Sequence, residues 1–169
     1  MALSFTPKVG QVLECDFGQF GSDVNSRPEG RPDFNRRLPP EMVKNRLVIV
    51  LNGRLSRQSC IVVPLSSSQD LSKTGAGVHV EIDAAAICAF DYFARCRRWA
   101  KADCVHTVSN RRLRLPTQAN DPVEAVVELA LVRRIQRAAM IALNASALLV
   151  PINEHGLLID VVSPHKSRS

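Results

Sequence analysis

The chain has 169 residues, 46% of them hydrophobic and 22% charged, the profile of one soluble domain of ordinary size. A chain of this length buries roughly 70% of the surface that its unfolded form exposes, so neither disulfides nor a structural metal is needed to hold a core. No apolar run approaches the roughly 18 to 20 residues of a membrane span. Met1–Gly10 also lacks a basic start followed by an apolar stretch, so the expected location is the cytoplasm, with the five cysteines reduced. The formal net charge is +6, and 17 of the 22 cationic residues are Arg, whose planar fork of donors matches phosphate. Eight basic residues stand against four acids in Phe20–Cys60, and seven against one in Arg95–Arg114. Such clustering is the electrostatic footprint of a nucleic-acid binder, and equally that of a solvated face.

In chain order, Val9–Phe17 alternates loosely and predicts a first strand. From Gly18 to Asn45 there are three Gly and four Pro among polar residues, which predicts a long loop. Arg46–Asn52 and Ser59–Pro64 are β-branched runs around Gly53–Gln58, a hairpin of buried strands. Gly77–Asp83 alternates cleanly as a strand, Ala84–Arg98 reads as either helix or hairpin, and Trp99–Val108 as a further strand. A helix over residues 121–143 is predicted from Asp121 as N-cap, Pro122 at the first helical position and Glu124 three residues after the cap. Its apolar stripe runs Val123, Val127, Leu131, Ile135, Ala139, Ala142. Residues 1–150 are expected to form the domain and 151–169 an extension with a disordered end.

Cys88, Cys96, Cys104 and His106 are zinc-ligand types, but structural zinc sites are built from ligand pairs two to four residues apart, and this spacing predicts buried thiols. No phosphate loop, nucleophile elbow or paired-carboxylate signature is present, so neither metal nor cofactor is expected. His79 is the strand residue whose natural pKa, near 6.5, suits a general base, although a single strand histidine is more often structural.

One ordered combination stands out. A strand ending in Asp16-Phe17 and a long loop precede Pro39-Pro40-Glu41-Met42-Val43-Lys44-Asn45-Arg46, which leads into Leu47-Val48-Ile49-Val50. Ile61-Val62-Val63-Pro64-Leu65-Ser66-Ser67 and His79-Val80-Glu81-Ile82 follow, and then Trp99 to Asp103 running into Thr107-Val108 and Arg112-Leu113. In order and spacing this resembles the MazF/PemK (Kid) family of toxin–antitoxin ribonucleases, from about Val9 to Ala145. Leu47 replaces the family's usual Pro after Arg46, Cys104 stands where many members carry Gln, and the first loop is longer than in compact members.

The resemblance implies a mainly β fold, a small SH3-like barrel of about five to seven strands with the helix packed on it. It also implies a homodimer, a cognate antitoxin as partner and metal-independent cleavage of single-stranded RNA by the adjacent 2′-hydroxyl. Arg46 would stabilise transition-state charge, Ser66 would hydrogen-bond a phosphate oxygen or the attacking hydroxyl, and His79 would be the candidate base. Antiparallel pairing returns Ser66 to the end of the sheet where Arg46 starts. Arg31, Arg36, Arg37, Lys44 and Ser67 would bind the RNA. By residue type alone, Arg46 and Ser66 read as a strand-end ion pair and a turn-capping hydroxyl. Two other readings keep the barrel: a CcdB-like gyrase poison without catalysis, and a catalytically silent nucleic-acid binder.

Overall fold

The computed structural model describes residues 6–19, 41–55, 58–87 and 90–149. Among these, ten strands and two α-helices alternate with short 3₁₀ turns. The main strands are β1 (Gln11–Asp16), β2 (Asn45–Leu55), β3 (Ser59–Ser66), β4 (His79–Ile82), β5 (Arg98–Lys101) and β6 (His106–Ser109). Four two-residue pieces follow: β7 (Leu113–Arg114), β8 (Thr117–Gln118), β9 (Asp121–Pro122) and β10 (Ala125–Val126). The helices are α1 (Leu71–Gly75) and α2 (Leu129–Ala142).

An antiparallel sheet runs in the order β10-β1-β2-β3-β5-β4 and stays open among the described residues, with β6 added to β3 and β7 to β1. Both faces of its centre are buried, and that is why Leu47–Leu51 reads as an unbroken apolar run rather than alternating. One face carries Val12, Leu47, Ile49, Val63 and Leu65, and the amphipathic α2 closes over it with Leu131, Val132, Ile135 and Ala138. The other face carries Leu13, Cys15, Phe17, Val48, Val50, Cys60 and Val62, covered by Val108 and Leu113.

The hairpin follows its predicted strands, with bulges between Val50 and Leu55. Three expectations are corrected. The helix begins at Leu129 with Glu128 as its cap, not at Asp121. Ala119 (φ 51°) and Asn120 (φ 68°) are both left-handed, so Gln118 to Asp121 closes a tight hairpin turn of the type that requires two such residues. The Asp91 carboxylate accepts from both turn amides, at 2.7 and 3.0 Å. Downstream, the Val123 and Val127 amides donate to Pro116 and Gly10 carbonyls, so this stretch commits its N–H groups to sheet and turn. Second, Trp99–Val108 is not one strand: a 3₁₀ turn over Ala102–Cys104 separates β5 from β6. Third, the described residues of Ala84–Arg98 form neither an α-helix nor a regular hairpin, but a 3₁₀ turn at Ala84–Ala86 and a lone bridge between Phe90 and Phe93.

The neck of the first loop is defined by Lys44, whose amide donates to the Gly18 carbonyl at 2.7 Å and whose carbonyl accepts from Phe17 N–H at 3.2 Å. Residues 20–40, and with them Arg31, Arg36 and Arg37, lie outside the described residues, as do Cys88 and 150–169. Among the described residues no helix is long and apolar enough to cross a membrane.

Candidate functional site

Arg46, Val48 and Val50 share one face of β2, and Val62, Pro64 and Ser66 share the facing side of β3. The last registered pair is Val48 opposite Pro64, and Pro64 has no N–H to extend the ladder. Arg46 and Ser66 come two residues further out, beyond that pairing: Arg46 pairs with Cys15 of β1, while β3 turns to pair Leu65 and Ser66 with Ala100 and Trp99 of β5. The divergence opens a cleft of about 210 Å³. It is lined by Met42, Arg46, Pro64, Leu65, Ser66, Asp70, Lys73, His79, Lys101, Asp103 and Cys104.

Arg46 Nε donates to the Val43 carbonyl at 3.4 Å, which ties the guanidinium to its own strand entry; among the described residues its terminal nitrogens meet no hydrogen-bond partner, so they can take a ligand. Ser66 Oγ accepts from the Ser68 amide at 3.1 Å, so its hydroxyl proton remains available to donate. His79 is a cross-strand partner of Lys101. Because the chain leaves β5 at Lys101 and turns through Ala102–Cys104, Asp103 folds back beside the same imidazole. His79 Nε2 lies 2.9 Å from Asp103 Oδ1, and His79 Nδ1 lies 3.3 Å from Lys101 Nζ. Lys101 Nζ also donates to the Ser68 carbonyl at 2.9 Å, and Lys73 Nζ donates to Asp103 Oδ2. Asp70 caps α1 through the Lys73 amide at 3.0 Å.

These partners set the charges. Burial opposes ionisation of Asp103, but hydrogen bonds from Lys73 and His79 outweigh it and hold its carboxyl below the usual range. The Asp103 hydrogen bond raises Lys73, whereas burial pulls Lys101 below the ordinary lysine value. The Cys104 thiol is pushed up, first by burial and then by the Asp103 charge, so it is not the thiolate that a nucleophile needs. Arg46, Lys73 and Lys101 stand against Asp70 and Asp103, which leaves the cleft cationic.

The structure therefore brings Arg46, Ser66 and His79 into one cleft. His79 does not fit the expectation of a base: its side chain is 3% exposed and both ring nitrogens are engaged. Lys44 is exposed at the loop neck and Ser67 is exposed just beyond Ser66. Sequence reasoning assigned no role to Asp70, Lys73, Lys101 or Asp103, although Asp70 followed by Leu-Ser-Lys and then Gly75 carries the signal of a short capped helix. Among the described residues no group of three or more His, Cys, Asp or Glu could hold a metal ion. A second, wider groove of about 960 Å³ lies between Thr6–Val9, Gly53–Leu55, Gln58 and Asn110, with Lys8 and Arg54 as its charges. There the Pro7 carbonyl passes so close to Gly53 that a Cβ would fall 1.8 Å from it, hence glycine.

A family model described as PemK-like, MazF-like toxin of type II toxin–antitoxin systems matches residues 31–143. The chain is 43% identical over 149 residues to the Escherichia coli K12 protein named putative uncharacterized protein YifN, covering 88% of this chain and 99% of that one. It is 37% identical over 143 residues to an uncharacterized Haemophilus influenzae Rd protein, covering 85% and 94%. Two solved structures are similar at 15% identity. A mycobacterial endoribonuclease in complex with its cognate antitoxin has a TM-score of 0.48 over 86% of this chain and 99% of that one. The Mycobacterium tuberculosis toxin MazF-mt6 has 0.44 over 62% and 91%.

Proposed function

The chain belongs to the PemK-like, MazF-like toxin family of type II toxin–antitoxin systems, and from that premise we propose that it is a metal-independent endoribonuclease. It cuts single-stranded RNA in the Arg46 cleft by attack of the 2′-hydroxyl on the adjacent phosphate. The observation that supports this reading is that Arg46 and Ser66 line one cleft at the end of the hairpin, to which Lys73 and Lys101 add positive charge.

The reaction needs an acceptor for the hydroxyl proton, a donor for the departing 5′-oxygen and fixed donors around the phosphate, whose charge grows in the transition state. Arg46 supplies a fixed positive charge beside the phosphate, and the Ser66 hydroxyl donates a hydrogen bond to a phosphate oxygen. Asp103 stays ionised and retains lone pairs beyond those taken by Lys73 and His79, so it can receive the hydroxyl proton. Lys101, made a readier acid by burial, gives the leaving oxygen its proton. The bond from the 2′-oxygen to phosphorus forms as the 5′-oxygen bond breaks, which leaves a cyclic phosphate.

In this proposal residues 1–150 act as one toxin domain in the cytoplasm and pair as a homodimer. Lys44, Arg31, Arg36, Arg37 and Ser67 follow the RNA backbone, and a cognate antitoxin covers the cleft. Family membership supports the antitoxin, and the position of Lys44 two residues before Arg46 supports the backbone contact. The test is incubation of the purified protein with a long RNA in EDTA, followed by sequencing of the cut ends. Cleavage with 2′,3′-cyclic phosphate and 5′-hydroxyl ends is the expected result. Cleavage that returns only with added magnesium overturns the mechanism, and intact RNA under all conditions overturns the activity.

A further inference from the structure

His79 is buried at the back of the cleft and yet is tied to two of the groups that face it. An imidazole flanked by a carboxylate on one nitrogen and an ammonium on the other has one consistent arrangement. Nε2–H donates to Asp103 Oδ1, and Nδ1, carrying no proton, accepts from Lys101 Nζ. The reverse tautomer would set N–H against ammonium on one side and a bare nitrogen against carboxylate on the other. The imidazolium would share the first of these clashes.

We propose that His79 is the positioning residue of this cleft, a neutral two-sided spacer that fixes Asp103 and Lys101 relative to each other and to the phosphate. Cross-strand pairing of His79 with Lys101 sets one side, and the 3₁₀ turn over Ala102–Cys104 returns Asp103 to the other. Lys101 spends two of its three protons on Ser68 O and His79 Nδ1, which leaves the third for a ligand oxygen. Without the imidazole, Lys101 keeps, among the described residues, its Ser68 contact, and Asp103 keeps the Cys104 thiol and Lys73, whose side chain is 49% exposed. His79 never touches the RNA and gives up no proton.

The role in catalysis rests on the cleft being the RNA site, but the arrangement itself does not, so two measurements are paired. The first is nitrogen-15 NMR of the His79 ring in the wild-type protein at neutral pH, with no RNA present. A proton on Nε2 and a bare Nδ1 are expected, and a proton on Nδ1 overturns the proposal whatever the enzyme does. The second compares His79→Gln with His79→Leu in steady-state cleavage. A glutamine amide can donate to Asp103 and accept from Lys101, and leucine can do neither. His79→Gln should stay within a few-fold of wild type. His79→Leu should lose roughly 10- to 100-fold in kcat with KM little changed, the scale expected when reacting groups are displaced by about 1 Å. Equal loss in both variants means that the histidine must titrate, and full activity in a folded His79→Leu protein means that it only fills space. Either result overturns the proposal.

Discussion

Arg46→Ala should lower RNA cleavage on the order of 100- to 1000-fold, the usual cost of removing a preorganised donor from a developing oxyanion. The guanidinium is anchored by Nε to the Val43 carbonyl, so its terminal nitrogens are already placed when a phosphate arrives, and no water of comparable charge replaces them. Ser66→Ala should cost less, because a hydroxyl carries no full charge and Ser66 Oγ already gives its acceptor side to Ser68. The two side chains line one cleft at the end of the hairpin and, in the proposed reaction, serve one transition state. The double variant should therefore be about as slow as Arg46→Ala alone, not slower by the product of the two losses. Rates of purified, folded variants on one RNA check this, and a wild-type rate for Arg46→Ala removes the site.

Ile135→Ala should be the most damaging change to the helix that covers the sheet. Ile135 is fully buried against the face built by Val12, Ile49 and Val63. Truncation there loses transfer energy and leaves a void that packed neighbours fill only in part, about 2–5 kcal/mol. Arg133, exposed on the same helix, should change stability by no more than about 0.5 kcal/mol when cut to Ala. Urea unfolding of the two variants separates them through their midpoints at equal slope. If Ile135→Ala unfolded at the wild-type midpoint, α2 would not be part of the core.

The hairpin was legible in the sequence because β2 and β3 are buried on both faces, and a run such as Leu47–Leu51 has few alternatives in a chain of this size. That legibility carried the placement of Arg46 and Ser66 at the same end of the hairpin, where both line the cleft. The start of α2 was not legible. Asp121, Pro122 and Glu124 carry a sound local capping signal, but Ala119 and Asn120 turn the chain first, under the hold of Asp91, a residue 28 positions upstream of Ala119. Local chemistry lost to a long-range contact. The same limit hid the partners of His79. Lys101 could have been paired with it from the strand register, but the return of Asp103 depends on a 3₁₀ turn that breaks an otherwise strand-like run. Lys73 reaches Asp103 across 30 residues from a five-residue helix too short to show a periodicity.

Amide chemical shifts during titration with an RNA 2′-O-methylated at every ribose locate the bound strand, since such a strand binds without being cut. With RNA in the cleft between Arg46 and Asp103, the shifts should gather at Met42–Arg46, Leu65–Ser68 and Lys101–Cys104, which line the cleft or flank it. Shifts gathered instead at Lys8, Gly53, Arg54 and Asn110, around the wider groove, would contradict that placement.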